Sequence, residues 1–397
     1  MHVRRQASRY SASIDHHEPR IARQRMSQDD LKNRASELLE QAGIHIDGDA
    51  PIDLHVHDER LYARVFAHGS LGLGEAYMDG WWDADDLPGL CTRLLTAGLD
   101  QELKTLDTLL AHLKARFINL QRGERAFEIG KAHYDLGNDL FHAMLGKRMV
   151  YSCGYWAKAG NLDDAQAAKL DLVCRKLQLK TGQRVLDIGC GWGEALKYAA
   201  EHYGIEGVGI TVSQEQAEYA RELCAGLPIE IRLQDYHDVE DHFDAVYSLG
   251  MFEHVGGKNY RAYFETVRRC LKDDGLSLLH CIGSNSAPAQ TDPWIEKYIF
   301  PNSMIPAASQ IAVALEDLFV IEDWHNFGAD YDRTLTAWRA NVEAAWPSLP
   351  ASYDERFRRM WRYYLAVSAA VFRSRRDQLW QITLSPHGVP GGYRVPR

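Results

Sequence analysis

The chain has 397 residues, 46% hydrophobic and 25% charged, with a formal net charge of −10. That composition excludes a disordered chain, a collagen and a disulfide mini-scaffold. The acidic balance weighs against a chain-wide nucleic-acid binder, which should be basic. Seven cysteines without a CxxC pair, and with no signal peptide ahead of them, point to a reduced, cytoplasmic protein. No run of about 18 apolar residues is present to span a membrane.

Residues 1–25 hold six Arg against Asp15 and Glu18, so 1–26 reads as a disordered tail or an extension upstream of a start at Met26. Leu31, Ala35, Leu38 and Leu39 predict a helix over 31–42, stopped by Gly43. Residues 52–57 alternate as a strand does. Gly69, Gly72 and Gly74 read as glycine-spaced turns. From Leu87 to Leu120, apolar residues such as Leu99, Leu103, Leu106, Leu110, Leu113 and Phe117 predict helix. Residues 27–120 are therefore expected to form a small, mainly helical N-terminal domain.

From about residue 163 helical stretches alternate with short apolar strands at 184–188, 207–211, 229–233, 243–248 and 276–280. Such alternation builds a mostly parallel sheet covered by helices on both faces, an α/β domain over 163–397. A further strand is expected at 319–323 and two amphipathic helices over about 333–380.

The first of these strands runs into Asp187, Gly189, Cys190, Gly191, Trp192 and Gly193, and a helix follows. Glycines at such a turn let the backbone approach a bound nucleotide. The third glycine of the G-x-G-x-x-G dinucleotide fingerprint is missing, because Glu194 and Leu196 stand where it would fall. G-x-G-x-G after an Asp-bearing strand resembles the Rossmann-like class I S-adenosylmethionine (SAM) methyltransferases. Gln234 and Asp235 follow the third strand, where that class recognises adenine. The second strand ends in Thr211 rather than the usual acidic ribose ligand, and Gln216 is placed to share that role.

Several longer blocks, read together, closely resemble bacterial cyclopropane-fatty-acyl-phospholipid synthases. They include residues 69–82 (GSLGLGEAYMDGWW), 131–141 (KAHYDLGNDLF), 151–156 (YSCGYW), 185–193 (VLDIGCGWG), 250–256 (GMFEHVG), 279–284 (LHCIGS), 292–302 (DPWIEKYIFPN), 322–332 (EDWHNFGADYD) and 376–380 (RDQLW). The resemblance covers about 27–390. It implies transfer of the SAM methyl to a cis double bond of an acyl chain in membrane phospholipid, followed by ring closure. It also implies a lipid-facing N-terminal domain, a connecting segment over 121–162 with a cofactor lid, and a homodimer.

The chemistry needs no activated Ser or Cys; it needs two oriented reactants, exclusion of water and a base. The resemblance implies that the base is a bound bicarbonate, held by Glu253, His280 and Tyr331 with backbone groups of Cys153 and Ile282. It also places Tyr151 and Ser152 at the SAM carboxylate. No metal is implied. Where family members often carry a cysteine, this chain has Ser368, which is read as packing. Residues 104–131 (net +3) and 354–377 (net +4) interleave basic and apolar side chains, as a surface for anionic lipid would. Other readings of the scaffold stay open here: a fatty-acyl C-methyltransferase giving a methyl branch or methylene, a small-molecule N-methyltransferase, or a non-catalytic lipid binder.

Overall fold

The computed structural model describes residues 27–102, 137–286 and 291–397. The N-terminal part holds α1 (Gln28–Gln41), β1 (His55–Val56), α2 (Arg60–Met78), β2 (Trp82–Asp83), α3 (Leu87–Thr96) and α4 (Leu99–Glu102). Ser27 caps α1 in a reciprocal box with Asp30. The strand expected over 52–57 is reduced to the two residues of β1, paired antiparallel with β2.

The glycines read as turns lie inside α2 instead. Only Gly69 leaves helical geometry (φ 56°, ψ −132°), kinking the helix. A Cβ at Gly74 would sit 2.4 Å from the Trp294 ring, so that glycine serves close packing.

The second part runs α5 (Asn138–Leu145), α6 (Leu162–Lys176), β3 (Arg184–Ile188), α7 (Glu194–Tyr203), β4 (Glu206–Thr211), α8 (Gln214–Leu223), β5 (Ile229–Leu233) and β6 (Phe243–Leu249). It continues with α9 (Tyr260–Cys270), β7 (Leu271–Ser284), α10 (Pro293–Tyr298), α11 (Ala308–Leu315), β8 (Val320–Asn326), α12 (Ala329–Ala345), α13 (Glu355–Arg373) and β9 (Asp377–Ser385). Seven strands form one sheet in the order β5-β4-β3-β6-β7-β9-β8. β3 to β7 pair in parallel, and β9 runs antiparallel between β7 and β8. Leu186, Ile188 and Val246 bury one sheet face against α9 and α11. Val185, Ala245 and Leu278 bury the other against α6, α7 and α8.

This is the Rossmann-like α/β sheet that the strand–helix alternation implies. β9 was not expected: its first residues fall at the end of the stretch read as two helices over about 333–380, and the rest lies beyond it. Arg375 adopts a left-handed backbone (φ 62°) and turns the chain from α13 into that strand.

α12 and α13 do more than cover the sheet. Trp338, Val342, Trp361, Leu365 and Ala369 share one core with Leu61, Tyr77, Trp82 and Leu90 of the N-terminal part. Burial of these side chains, at about 1.5–3 kcal/mol for each large one, ties the two parts together. Among the described residues no helix is long and apolar enough to cross a membrane.

Candidate active site

A cavity opens at the carboxyl ends of β3, β4 and β6, where open α/β sheets place ligands. Asp187 and the loop residues Gly189, Cys190, Gly191 and Trp192 line it, with Thr211, Gln216, Gln234 and Asp235 from the next two strand ends. Tyr151 and Ser152, from the segment ahead of α6, complete the wall. Gly193 lies outside the lining. At φ 90° it caps α7, and a Cβ there would be 3.0 Å from Ala220, so it seats the loop on α8. Gly189 (φ 84°) faces Met251, which a Cβ would strike at 2.7 Å.

Several of these side chains already have partners. Thr211 donates to Gln216 Oε1 at 2.9 Å, which leaves the Gln216 amide NH₂ as the end available to a ligand. Asp235 Oδ1 accepts from the backbone N–H and Nδ1 of His237. Gln234 donates to the Asp238 carbonyl at 2.8 Å, so its side chain is committed locally. Trp192 donates to Asn138 Oδ1 at 3.0 Å. The Tyr151 and Tyr364 hydroxyls are 2.7 Å apart, joining this wall to α13. Asp187 is buried with Oδ1 unpartnered, and burial pushes its carboxyl up to about 7.

Beside the cavity a second group assembles. Cys153, Ile282 and Tyr331 pack with Phe327 and Leu379 in one cluster. The His280 ring is 5.9 Å from that of Phe327. Glu253 sits in a 3₁₀ turn, Phe252–His254, just after β6. Its Oε1 accepts the Ile282 N–H at 2.6 Å, while Oε2 is buried without a partner.

Gln381 Nε2 faces His280 Nδ1 at 3.3 Å. With Gln381 donating, the His280 proton is on Nε2, which is also buried and unpartnered. Burial pushes Glu253 up to about 7, against the Ile282 amide. Burial, then Lys169 and Lys176, hold His280 well below the usual imidazole range, so it is neutral. Burial also lifts the Cys153, Cys190 and Cys281 thiols well above their ordinary range, which leaves no thiolate nucleophile among them.

Residues 121–382 match the mycolic acid cyclopropane synthetase family. The chain is 54% identical over 365 residues to the cyclopropane-fatty-acyl-phospholipid synthase of Escherichia coli K12, covering 91% of this chain and 95% of that one. It is 32% identical to the tuberculostearic acid methyltransferase UfaA1 of Mycobacterium tuberculosis, across 85% and 84% of the two chains. Among solved structures, mycolic acid cyclopropane synthase CmaA1 complexed with SAH and CTAB superposes with a TM-score of 0.61 at 30% identity, over 65% of this chain and 97% of that one. The chain belongs to the cyclopropane synthase family. It is a SAM-dependent methyltransferase.

Within that family frame, the structure gathers the expected residues into two adjoining groups, one around the cavity and one around Phe327. At Ile282 the backbone amide N–H is engaged within the fold, where it donates to the Glu253 carboxylate.

The basic segment 354–377 also reads differently once folded. Met360, Trp361, Tyr364 and Phe372 are buried in the core that α13 shares with the N-terminal part. Six of its seven arginines face acids: Arg356 with Asp79, Arg358 with Glu355, Arg359 with Asp83, Arg362 with Glu343, Arg373 with Asp332 and Arg376 with Asp100, while Arg375 donates to Gln378. Folded, the segment is a charged face over a core. Of the other segment, 104–131, nothing falls within the described residues.

Sequence reasoning passed over Lys169, Gln166 and His254. His254 lines the cavity with Nδ1 unpartnered. Lys169 and Gln166 are buried on α6 directly behind Ser152. Their signal was available: both occupy the apolar stripe of α6, with Leu162, Ala165 and Val173, where an apolar side chain is expected.

Proposed function

We propose that this enzyme transfers the methyl group of SAM to a cis double bond of an unsaturated acyl chain in membrane phospholipid and closes a cyclopropane ring. The observation that carries the catalytic assignment is the pair of buried, unpartnered atoms beside the cofactor cavity, Glu253 Oε2 and His280 Nε2. The extent of the likeness to the Escherichia coli synthase supports the substrate.

The alkene π electrons attack the sulfonium methyl, the C–S bond breaks, and S-adenosylhomocysteine leaves. The resulting carbocation loses a proton from the added methyl, and the freed electron pair closes the ring. Bicarbonate, when bound, supplies the base for that proton. The residues fit such a group, because one orphan atom is a donor and the other an acceptor when ionised. His280 Nε2–H donates to an oxyanion, and Tyr331 adds a hydroxyl donor. Glu253 Oε2 accepts a hydroxyl proton and so raises the basicity of what it holds. The Ile282 amide fixes the Glu253 carboxylate through Oε1. Phe327, Leu379 and Ile282 keep the surroundings dry, which protects a cation from water.

In the cofactor cavity, Tyr151 and Ser152 take the amino-acid end of SAM. Gly189, Cys190, Gly191 and Trp192 admit close backbone approach at Asp187, Thr211 and Gln216 serve the ribose, and Gln234 and Asp235 flank the adenine. The enzyme works peripherally on the cytoplasmic face of the membrane, because its substrate lies in a bilayer. Homodimeric assembly follows from the family resemblance alone, and light scattering checks it.

Incubation with vesicles of unsaturated phosphatidylethanolamine or phosphatidylglycerol plus SAM, then proton NMR of the fatty acids, tests the reaction. Upfield ring protons are expected; alkene methylene protons or a saturated methyl branch would replace this reading with C-methylation. Activity unchanged after carbonate removal, or a fully active Glu253→Gln, would defeat the bicarbonate assignment.

A further inference from the structure

Lys169 is fully buried on α6, and its Nζ lies 3.0 Å from Ser152 Oγ. One turn earlier Gln166 donates to the Ser152 carbonyl at 2.8 Å. Ser152 is thus pinned from behind at both its side chain and its backbone, and its other side lines the cofactor cavity.

A hydroxyl oxygen that accepts from an ammonium has its own O–H directed elsewhere. The cation also polarises that O–H and makes it a stronger donor. A buried ammonium whose hydrogen-bond partner is a neutral hydroxyl carries an unrepaid desolvation cost. An anion arriving on the far side of Ser152 would repay it. The acids near Lys169 do not take that role by contact. Glu194 is engaged with Arg148 at 2.8 Å, and Asp187 has an unpartnered oxygen of its own. Burial draws Lys169 down to about 7, against Cys153, Asp187 and Glu194, and an added carboxylate favours its charged form.

We propose that Lys169 is a positioning residue that, acting through the Ser152 hydroxyl, sets the affinity of the cavity for the carboxylate of SAM. The inference rests on the reading above that Ser152 faces the amino-acid end of SAM, and the experiment separates the two.

Calorimetric titration with SAM and with decarboxylated SAM is carried out on the intact enzyme and on Lys169→Met, Ser152→Ala and the double variant. For Lys169→Met, SAM affinity is expected to fall roughly tenfold or more, the scale of a charge-assisted hydrogen bond. Affinity for decarboxylated SAM is expected to be unchanged or tighter. Ser152→Ala should discriminate in the same way, and the double variant should be no weaker than the worse single one. In turnover, Lys169→Met should raise KM for SAM and leave kcat at saturation within about twofold.

Equal weakening of both ligands, or of neither, by Lys169→Met overturns the proposal. If Ser152→Ala also treats the two ligands alike, the placement of the amino-acid end at Ser152 fails with it. If Ser152→Ala discriminates and Lys169→Met does not, only the role of Lys169 fails. Should the Met variant not fold, Lys169→Gln is the reading variant, with the same selective loss expected.

Discussion

Helix α6 carries two fully buried lysines seven residues apart, and the chain treats them differently. Lys176 meets its counter-ion within the fold: Asp323 lies 3.0 Å away and is also gripped by both guanidinium nitrogens of Arg397 at 2.6 and 2.7 Å. Lys169 meets a serine hydroxyl. The same contrast separates the Asp323 carboxylate, paired twice, from that of Glu253, which has one oxygen on a backbone amide and one on nothing. Where the chain supplies both charges, the group is architecture. Where it supplies one and buries it, the missing partner is what the site was built to receive.

The largest effect expected from this contrast is on the satisfied side. Asp323→Asn would leave the Lys176 ammonium buried without its anion. Breaking a buried pair from one side costs about 3–5 kcal/mol. Lys176→Met, which removes the charge and keeps an apolar stem, should cost under about 2 kcal/mol, because Asp323 retains Arg397. Denaturant unfolding of the two variants measures both. Equal costs would mean that the Lys176 pair is not the structural tie described.

Glu253 gives the next effect, with its sign set by burial. Its folded-state carboxyl lies at about 7 and its ordinary value is 4.5, so the folded protein holds this proton more tightly than the unfolded chain. Stability from this group is fully present below the ordinary value and is lost as pH rises to about 7. At about 1.4 kcal/mol per unit, the loss is on the order of 3 kcal/mol above neutrality. Glu253→Gln should therefore be stabilised relative to the parent at pH 8 and not at pH 5. Activity should run the other way across the same window, because Oε2 must be ionised to accept a proton. Turnover should then show an acid limb near 7, and a pH-independent stability difference would remove the assigned titration.

How much of this was legible beforehand follows from how local each feature is. β3 and its glycine loop were readable because strand, turn and helix follow one another directly. The core of the site was readable as residues, through blocks such as 250–256 and 279–284, but not as geometry. Nothing in the sequence shows that the Ile282 amide would be taken by a carboxylate 29 residues earlier. The arginines of α13 were visible as a basic, aromatic-rich run, and their acids were not, since Asp79 and Asp83 lie more than 270 residues away. β9 was hidden behind a left-handed Arg375, a conformation that a glycine would have announced and an arginine does not. Lys169 was hidden for a different reason: it occupies an apolar position of an amphipathic stripe and belongs to none of the motif blocks.

The smallest expected effect is the one that tells the two lysines apart by ligand rather than by fold. A ligand at about 100 times its Kd stabilises a protein by about 2.7 kcal/mol, and at ten times its Kd by about half of that. At one fixed SAM concentration, chosen as a hundredfold excess over the parent's Kd, a tenfold weakening in Lys169→Met should therefore halve the SAM-induced stabilisation. Lys176→Met should keep the parent's full response, even though it removes the same charge from the same face of the same helix. Ligand-free stability would not make this distinction, because replacing either buried cation by an apolar isostere is close to neutral. Only the increment on adding SAM reads whether a lysine's counter-ion is part of the protein or arrives with the co-substrate, and equal increments in the two variants would place Lys169 with Lys176, as architecture.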